Sequence, residues 1–395
     1  MDSDLSAELN QYRDAVRGCL AAKTPDLAAH PDTDSGLELD RRLWQQMAKE
    51  LGATGLLVPE DSDGQESPYF VASLVLEELG RALVRVPYLT GAVLAPAALA
   101  ATGAPDACAD YLAGISSGDL IATVAFSEGV TGRPGESTVH ASRSGDAWTL
   151  SGTVALVLEA QSADLLLVVA RTDHGLGLFA VPTDSTGLEQ FPLRTLDLTR
   201  SCSRVVFRET PAVRLGEDFT DGQHRVLSIA AVAISAELAG AAQRATEMAV
   251  EYASVRSQFG ILIGSTQAVQ RLCVDMFRTS ESAIAISRAA ARDVGEDQSA
   301  ATRIAHVAKA YCSAHCPPVG ETNIQVHGGI GFTWEHPAHY YLRRLRAGAQ
   351  LFGDAAHHRE QLGLDLGLSY PDGRLTRGTT LGTSTEGMTG VEFSE

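Results

Sequence analysis

The sequence predicts an α+β multidomain fold in which two helical regions flank a β-rich middle. Three observations carry this. Before residue 117, apolar residues recur at helical spacing, as in DRRLWQQMAKEL (residues 40–51). Between about 120 and 207, short runs of β-branched, aromatic and aliphatic residues are broken by Gly, Asp, Pro and Thr. From about residue 218 the helical pattern returns and continues for more than a hundred residues.

Taken in order, residues 40–51 predict a helix with Gly52 as its C-cap. Residues 69–83 predict a second, and an Ala/Leu-rich segment extends the helices to about 112. The runs at 121–126, 148–151, 163–170 and 204–207 predict strands. A long apolar helix is expected over 226–256, another over 267–288, and a third over 300–316 that Pro317-Pro318 should stop. A last helix is expected at about 337–350. The Gly/Thr/Ser-rich end beyond 368 predicts a mobile tail. The expected domains are therefore 1–119, 120–214 and 215–368, with a tail at 369–395.

Composition narrows the function classes. The 395 residues are 45% hydrophobic and 20% charged, a globular profile with material for a large core. The formal net charge of -18 disfavours nucleic acid and anionic membranes as partners. Apolar stretches such as 226–236 are too short or too interrupted to predict membrane insertion. The acidic, polar N-terminus does not read as a targeting peptide, and six scattered cysteines without a CxxC pair fit reduced thiols. A cytoplasmic location is expected.

Several motifs lead nowhere. GISSG (residues 114–118) has the G-x-S-x-G spacing, but it follows a predicted helix and precedes a strand, the reverse of a nucleophile elbow. Cys312, His315 and Cys316, and the pair His357-His358, lack a second cluster at metal-site spacing, so no metal is expected. No Rossmann turn or P-loop occurs, so any nucleotide cofactor must be held otherwise.

Two segments carry more information. RSQFGILIGSTQAVQ (residues 256–270) joins two long helices through an Arg, a Gly-containing turn and an amide near a helix start, groups suited to a phosphate and a base edge. QVHGGIGFTWEHP (residues 325–337) has glycines that permit close backbone approach to a ligand. Both are also consistent with ordinary helix-connecting loops. Together they closely resemble the two C-terminal signatures of acyl-CoA dehydrogenases. DRRLWQQMAKELGATGLLVPED (residues 40–61) and LSGTVALVLEAQSADLLLVVAR (residues 150–171) resemble that family's N-terminal helix and loop and its β-domain.

The resemblance implies an N-terminal helical domain, a β-barrel-like middle domain and a C-terminal four-helix bundle. It implies FAD as cofactor and an acyl-CoA substrate, with a carboxylate removing the α-proton and the β-hydrogen passing as hydride to the flavin. It further implies an electron-transfer flavoprotein-type acceptor and a homo- or hetero-tetramer. The base must be a desolvated carboxylate with a raised pKa, because a thioester α-proton is only weakly acidic.

Carried over residue by residue, Arg256 and Phe259 resemble positions reaching the FAD of a neighbouring subunit, Arg256 at the pyrophosphate. Gln267 resembles the residue near the adenine. Gln325, Gly328 and Gly329 resemble the loop lying along the cofactor. Phe126 and Ser127 occupy the strand end beside the flavin ring, where Ser127 offers a hydroxyl.

The departures are equally informative. GVTGRP (residues 129–134) replaces the family's usual loop, and Leu156-Val157-Leu158 lacks the hydroxyl that commonly faces the flavin. In RLRAGAQLFGD (residues 344–354), Phe352 stands where the common catalytic glutamate is expected, and so is expected to line the acyl cavity. The replacement base is expected to be Glu237. It shares a helical face with Ala230, Ile234 and Ala241, and burial among them would raise its pKa. A branch of actinobacterial-type members with the same Leu-Phe-Gly-Asp ending resembles this chain in carrying Glu there. The alternative is that Glu237 pairs with an Arg of a packing helix. Three functions stay open: a dehydrogenase, acting on bulky or steroid side-chain acyl-CoAs; a non-catalytic partner subunit; and a flavin-free scaffold.

Overall fold

The structure, a computed structural model, describes residues 6–21, 39–126, 137–294 and 298–368. Ser127, the 129–134 loop and the expected tail lie outside the described residues.

The N-terminal layer holds α1 (Ala7–Ala21), α2 (Arg41–Lys49) and α3 (Tyr69–Ala82). A π-helical segment, Tyr88–Leu94, then runs into α4 (Ala95–Ala100), and α5 (Pro105–Ser116) follows. Asp40 caps α2 by accepting from the backbone N–H groups of Arg42 and Leu43. Leu43, Trp44 and Met47 fill the core beneath it.

Among the described residues, the middle domain has seven strands: β1 (Ala122–Ala125), β2 (Val139–Ser144), β3 (Ala147–Leu158), β4 (Leu165–Thr172), β5 (Gly175–Pro182), β6 (Leu188–Pro192) and β7 (Cys202–Leu215). In the order β1-β4-β2-β3-β7-β5, the strands from β4 to β5 close into a ring because β5 also pairs with β4, and β1 joins along β4. The result is barrel-like, with no free edge on that ring. β1 runs parallel to β4, with Ala122 opposite Leu165, so its C-terminal end delivers Phe126 into the interior.

The C-terminal region is built on α6 (Thr220–Val255), packed against α7 (Gln267–Asp293), α8 (Gln298–His327) and α9 (Ala338–Gln350). α10 (Ala355–Asp365) folds back onto α8. A two-stranded hairpin, β8 (Ser257–Gln258) and β9 (Ile261–Leu262), links α6 to α7. α6 has the length and apolarity of a membrane span, contrary to the expectation that no stretch does. Within the protein, 83% of its most apolar window is buried, as for a core helix.

α8 corrects the expected stop. It continues through Pro317 and Pro318 to His327. Each proline removes one backbone donor, but burial of Cys312, Cys316 and Val319 in the bundle core favours a continuous helix.

α3 and α6 cross closely enough to exclude side chains. A Cβ on Gly80 would lie 2.1 Å from the Glu237 carbonyl oxygen, and one on Gly240 would lie 2.0 Å from that of Glu77. Beside this crossing, Arg288 of α7 donates to both oxygens of buried Glu77, at 2.9 and 2.7 Å. Arg81 likewise ties α3 to Glu247 of α6 at 2.8 Å. The N-terminal layer and the bundle are thus locked together where the site forms.

Candidate functional site

Glu237 sits in the middle of α6 and is buried, with the α3 crossing fixing its backbone. Its carboxylate is not free. Arg200 Nη2 donates to both oxygens at 2.6 Å, and Arg344 Nη1 of α9 donates to Oε1 at 2.5 Å. Arg344 is held in turn by Asp197, with Nε 3.0 Å from Oδ2, and by the carbonyl oxygen of Thr199 at 2.9 Å. Burial pushes the Glu237 carboxyl up, but the two guanidiniums outweigh it and the net shift is downward. The expectation of a raised pKa is therefore corrected: of the two sequence-based alternatives, the structure displays the pairing with arginines.

A cavity of about 20 Å³, room for about one water molecule, lies against this network. Leu79, Val86 and Leu89 line it, together with Glu159, Arg200, Glu237 and Arg344. Thr90, from the π-helical segment, also faces it.

Phe352 lies elsewhere in the core. Its ring is 1% exposed and meets the Phe126 ring edge-on, with centroids 6.2 Å apart. It is not among the residues lining the Glu237 cavity. The backbone at Phe352 is left-handed, with φ 58°, an uncommon state for an aromatic residue. Leu158 is buried and Leu156 half-buried on β3.

The remaining expected residues gather at one end of the bundle. The β8–β9 hairpin connects Arg256, at the end of α6, to Gln267, at the start of α7, with the Ile263 N–H donating to the Arg256 carbonyl at 2.9 Å. Phe259 forms the hairpin tip in a left-handed conformation, φ 52°, and is fully exposed. Tyr252, one turn before Arg256, stacks on His327 with centroids 4.5 Å apart. That contact joins the hairpin to Gln325, Gly328 and Gly329, which are all exposed. A Cβ on either glycine would meet nothing within 4 Å. The structure therefore sorts the expected residues into an exposed group (Arg256, Phe259, Gln267, Gln325, Gly328, Gly329) and a buried one (Phe126, Glu237, Phe352).

Arg200, Arg344 and Asp197 were not singled out by sequence. A hint exists in Arg344, a charged residue on the apolar side of a predicted helix, but its partner lies 107 residues away.

Residues 6–119 match the N-terminal domain of acyl-CoA dehydrogenases, and residues 222–366 match their C-terminal domain. The acyl-CoA dehydrogenase IpdE2 of Mycobacterium tuberculosis is 30% identical over 344 residues, covering 87% of this chain and 92% of its own. Among solved structures, the ChsE4-ChsE5 complex from Mycobacterium tuberculosis has a chain with TM-score 0.81 and 28% identity, covering 94% of this chain and 100% of that one. A variant of the Tcur3481-Tcur3483 steroid ACAD gives TM-score 0.80 and 28% identity, covering 91% of this chain and 98% of that chain.

Proposed function

The chain belongs to the acyl-CoA dehydrogenase family, and we propose that it acts there as the partner subunit of a heteromeric, FAD-dependent enzyme, completing the flavin site while another chain supplies the base. The observation that carries this reading is Glu237. A base for a weak carbon acid needs a carboxylate whose proton affinity is raised, and two arginines at 2.5–2.6 Å lower it instead. The usual position holds Phe352, which has no proton-accepting group.

The exposed end fits a dinucleotide reaching over from a second subunit. Arg256 offers a guanidinium for a pyrophosphate, and α7 opens beside it with no acidic residue in its first turn. The space above Gly328 and Gly329 allows the chain to lie along a flat ligand. Exposed Val255, Phe259, Ile261, Phe332 and Trp334 give the same end an apolar surface that favours burial against another chain. Bound FAD would take up the β-hydride of the acyl-CoA. This chain's Arg256, Gln267 and Gln325 would hold the dinucleotide, and Phe126 with Phe352 would keep water from its own flavin-facing interior.

Two similar structures are described as pairs of proteins, one of them as a complex, which supports a second, non-identical chain. The steroid ACAD supports a bulky substrate such as a steroid side-chain acyl-CoA. An electron-transfer flavoprotein-type acceptor would reoxidise the flavin. A second reading keeps Glu237 as the base, favoured by its place on the wall of a cavity.

Co-expression with a second chain of the family, followed by native mass and flavin content, tests the proposal. The expected result is a mixed assembly that retains flavin, with this chain alone unable to bleach flavin on adding acyl-CoA. A flavin-loaded homomer that is bleached by acyl-CoA would overturn it.

A further inference from the structure

The turn that carries Phe352 is gripped from α8 by side chains that the proposed reaction does not use. Lys309 is 0% exposed. Its Nζ donates to Ser313 Oγ at 2.6 Å, to the Ala349 carbonyl at 3.0 Å and to the Gly348 carbonyl at 3.3 Å. Three donors of an ammonium meet three acceptors. Two of these are carbonyls in the last turn of α9, where the helix dipole favours a cation, and the Gly348 carbonyl also accepts from the Leu351 N–H at 3.3 Å. Burial pushes the amine down to about 7, and it can donate in either protonation state.

One turn earlier on the same helix, His306 makes the second grip. Its Nδ1 is 2.7 Å from Nδ1 of buried His358, whose Nε2 is 2.8 Å from the Phe352 carbonyl oxygen. A carbonyl only accepts, so His358 Nε2 carries hydrogen. Burial keeps His358 neutral, with its pKa down at about 3, so its Nδ1 accepts and His306 donates. The hydrogen bonds run in one direction, from α8 to the turn. Gly353 completes the fit: at φ 97°, a Cβ there would lie 2.5 Å from His357 Cδ2 and 2.8 Å from His358 Nε2. Asp354 caps α10 by accepting from the backbone N–H of His357 at 2.8 Å.

A left-handed phenylalanine is strained and persists only where its surroundings over-determine it. Here Lys309 of α8 holds the Gly348 and Ala349 carbonyls before it, and His358 of α10, itself bonded to His306 of α8, holds its own carbonyl. We propose that Lys309 and the His306–His358 pair are positioning residues that hold Phe352 edge-on to Phe126, fixing the apolar floor of this chain's flavin-facing interior. The inference rests on the proposed function for the word flavin, but not for the grip itself.

The test separates the two. In protein carrying 4-fluorophenylalanine, the Phe352 resonance is identified by its loss in Phe352→Leu and followed by ¹⁹F NMR, in the flavin-free chain and in the flavin-loaded assembly. His358→Gln keeps a donor for the Phe352 carbonyl and should preserve the wild-type signal. His358→Phe keeps a ring but no donor, Lys309→Met keeps the stem but no charge, and both should shift or broaden it. If either fails to fold, His306→Ala, at a half-buried position, replaces it with the same expectation. An unchanged Phe352 signal in the variants lacking a donor overturns the positioning role. Flavin titration is the second readout. Loss of one hydrogen bond's worth of positioning should weaken flavin retention by a factor of about 2 to 10, with His358→Gln restoring it. A moved resonance with unchanged flavin retention keeps the grip and overturns the flavin-facing assignment.

Discussion

Glu237 and Arg344 are joined at 2.5 Å across 107 residues of sequence, and the arginine holds Asp197 and Thr199 at the same time. This single guanidinium ties α6 to α9 and to the segment leading into β7. Together with Arg200, it also lowers the pKa of the one carboxylate that sequence singled out as a base.

Arg344→Met should therefore destabilise the protein sharply. Losing Arg344 takes the guanidinium from buried Asp197 and leaves Glu237 with Arg200, and breaking a buried ion pair in this way costs about 3–5 kcal/mol. Urea unfolding should show the loss as a lower midpoint. Arg344→Lys should recover little, because one ammonium cannot span Glu237, Asp197 and the Thr199 carbonyl together. A midpoint unchanged in Arg344→Met would mean the network contributes nothing net.

Stability should fall with acidification well above the carboxylate range. Burial holds His339 down at about 4 and His358 at about 3, and shifts His327 and His336 the same way. Unfolded histidines take protons near pH 6.5, so the unfolded state binds more protons below that value. Each fully shifted imidazole then adds a slope of up to about 1.4 kcal/mol per pH unit. The loss should run from about pH 6.5 down to about 4 for His339 and on to about 3 for His358. Glu237 acts in a lower window: its lowered carboxyl contributes stability above the unfolded value of about 4.3, lost as pH falls through its folded value. Unfolding midpoints between pH 7 and 4.5 should drop steadily, and the drop should shrink in His358→Gln. A flat profile over that range would contradict the burial of neutral imidazoles.

Arg256→Ala should separate folding from flavin retention. The side chain is exposed on the single chain, so stability should change by less than about 0.5 kcal/mol. A charge-assisted contact to a pyrophosphate contributes about 1.5–3 kcal/mol, which corresponds to roughly 10- to 150-fold weaker flavin binding in the assembly. Flavin per chain after gel filtration measures it. Equal flavin content in mutant and wild type would remove Arg256 from the site.

The helical runs at 69–83 and 267–288 were legible because their periodicity is strong and local. The strands β2, β5 and β6 were not, since sequences such as VHASRS and LEQFP carry polar or proline residues that only their place in a closed sheet makes extended. Pro317-Pro318 misled because bundle packing outweighs two missing donors. At the site, Glu237 stood out as a carboxylate on an apolar face, yet its meaning depended on Arg200, 37 residues earlier, and Arg344. His357-His358 read as a weak metal signal, while the structure pairs His358 with His306 and a carbonyl. Pairings between distant segments leave no local pattern.

The most direct test of the central claim is turnover of the assembled mixed complex carrying Glu237→Gln in this chain alone. The substitution is nearly isosteric and keeps an acceptor for both arginines. Steady-state oxidation of acyl-CoA, with flavin content and assembly mass checked on the same preparation, should match the wild-type complex within about twofold, whereas loss of a true general base costs about 10²–10⁴-fold. A loss of that size with flavin and assembly intact would contradict the account and make Glu237 the catalytic base.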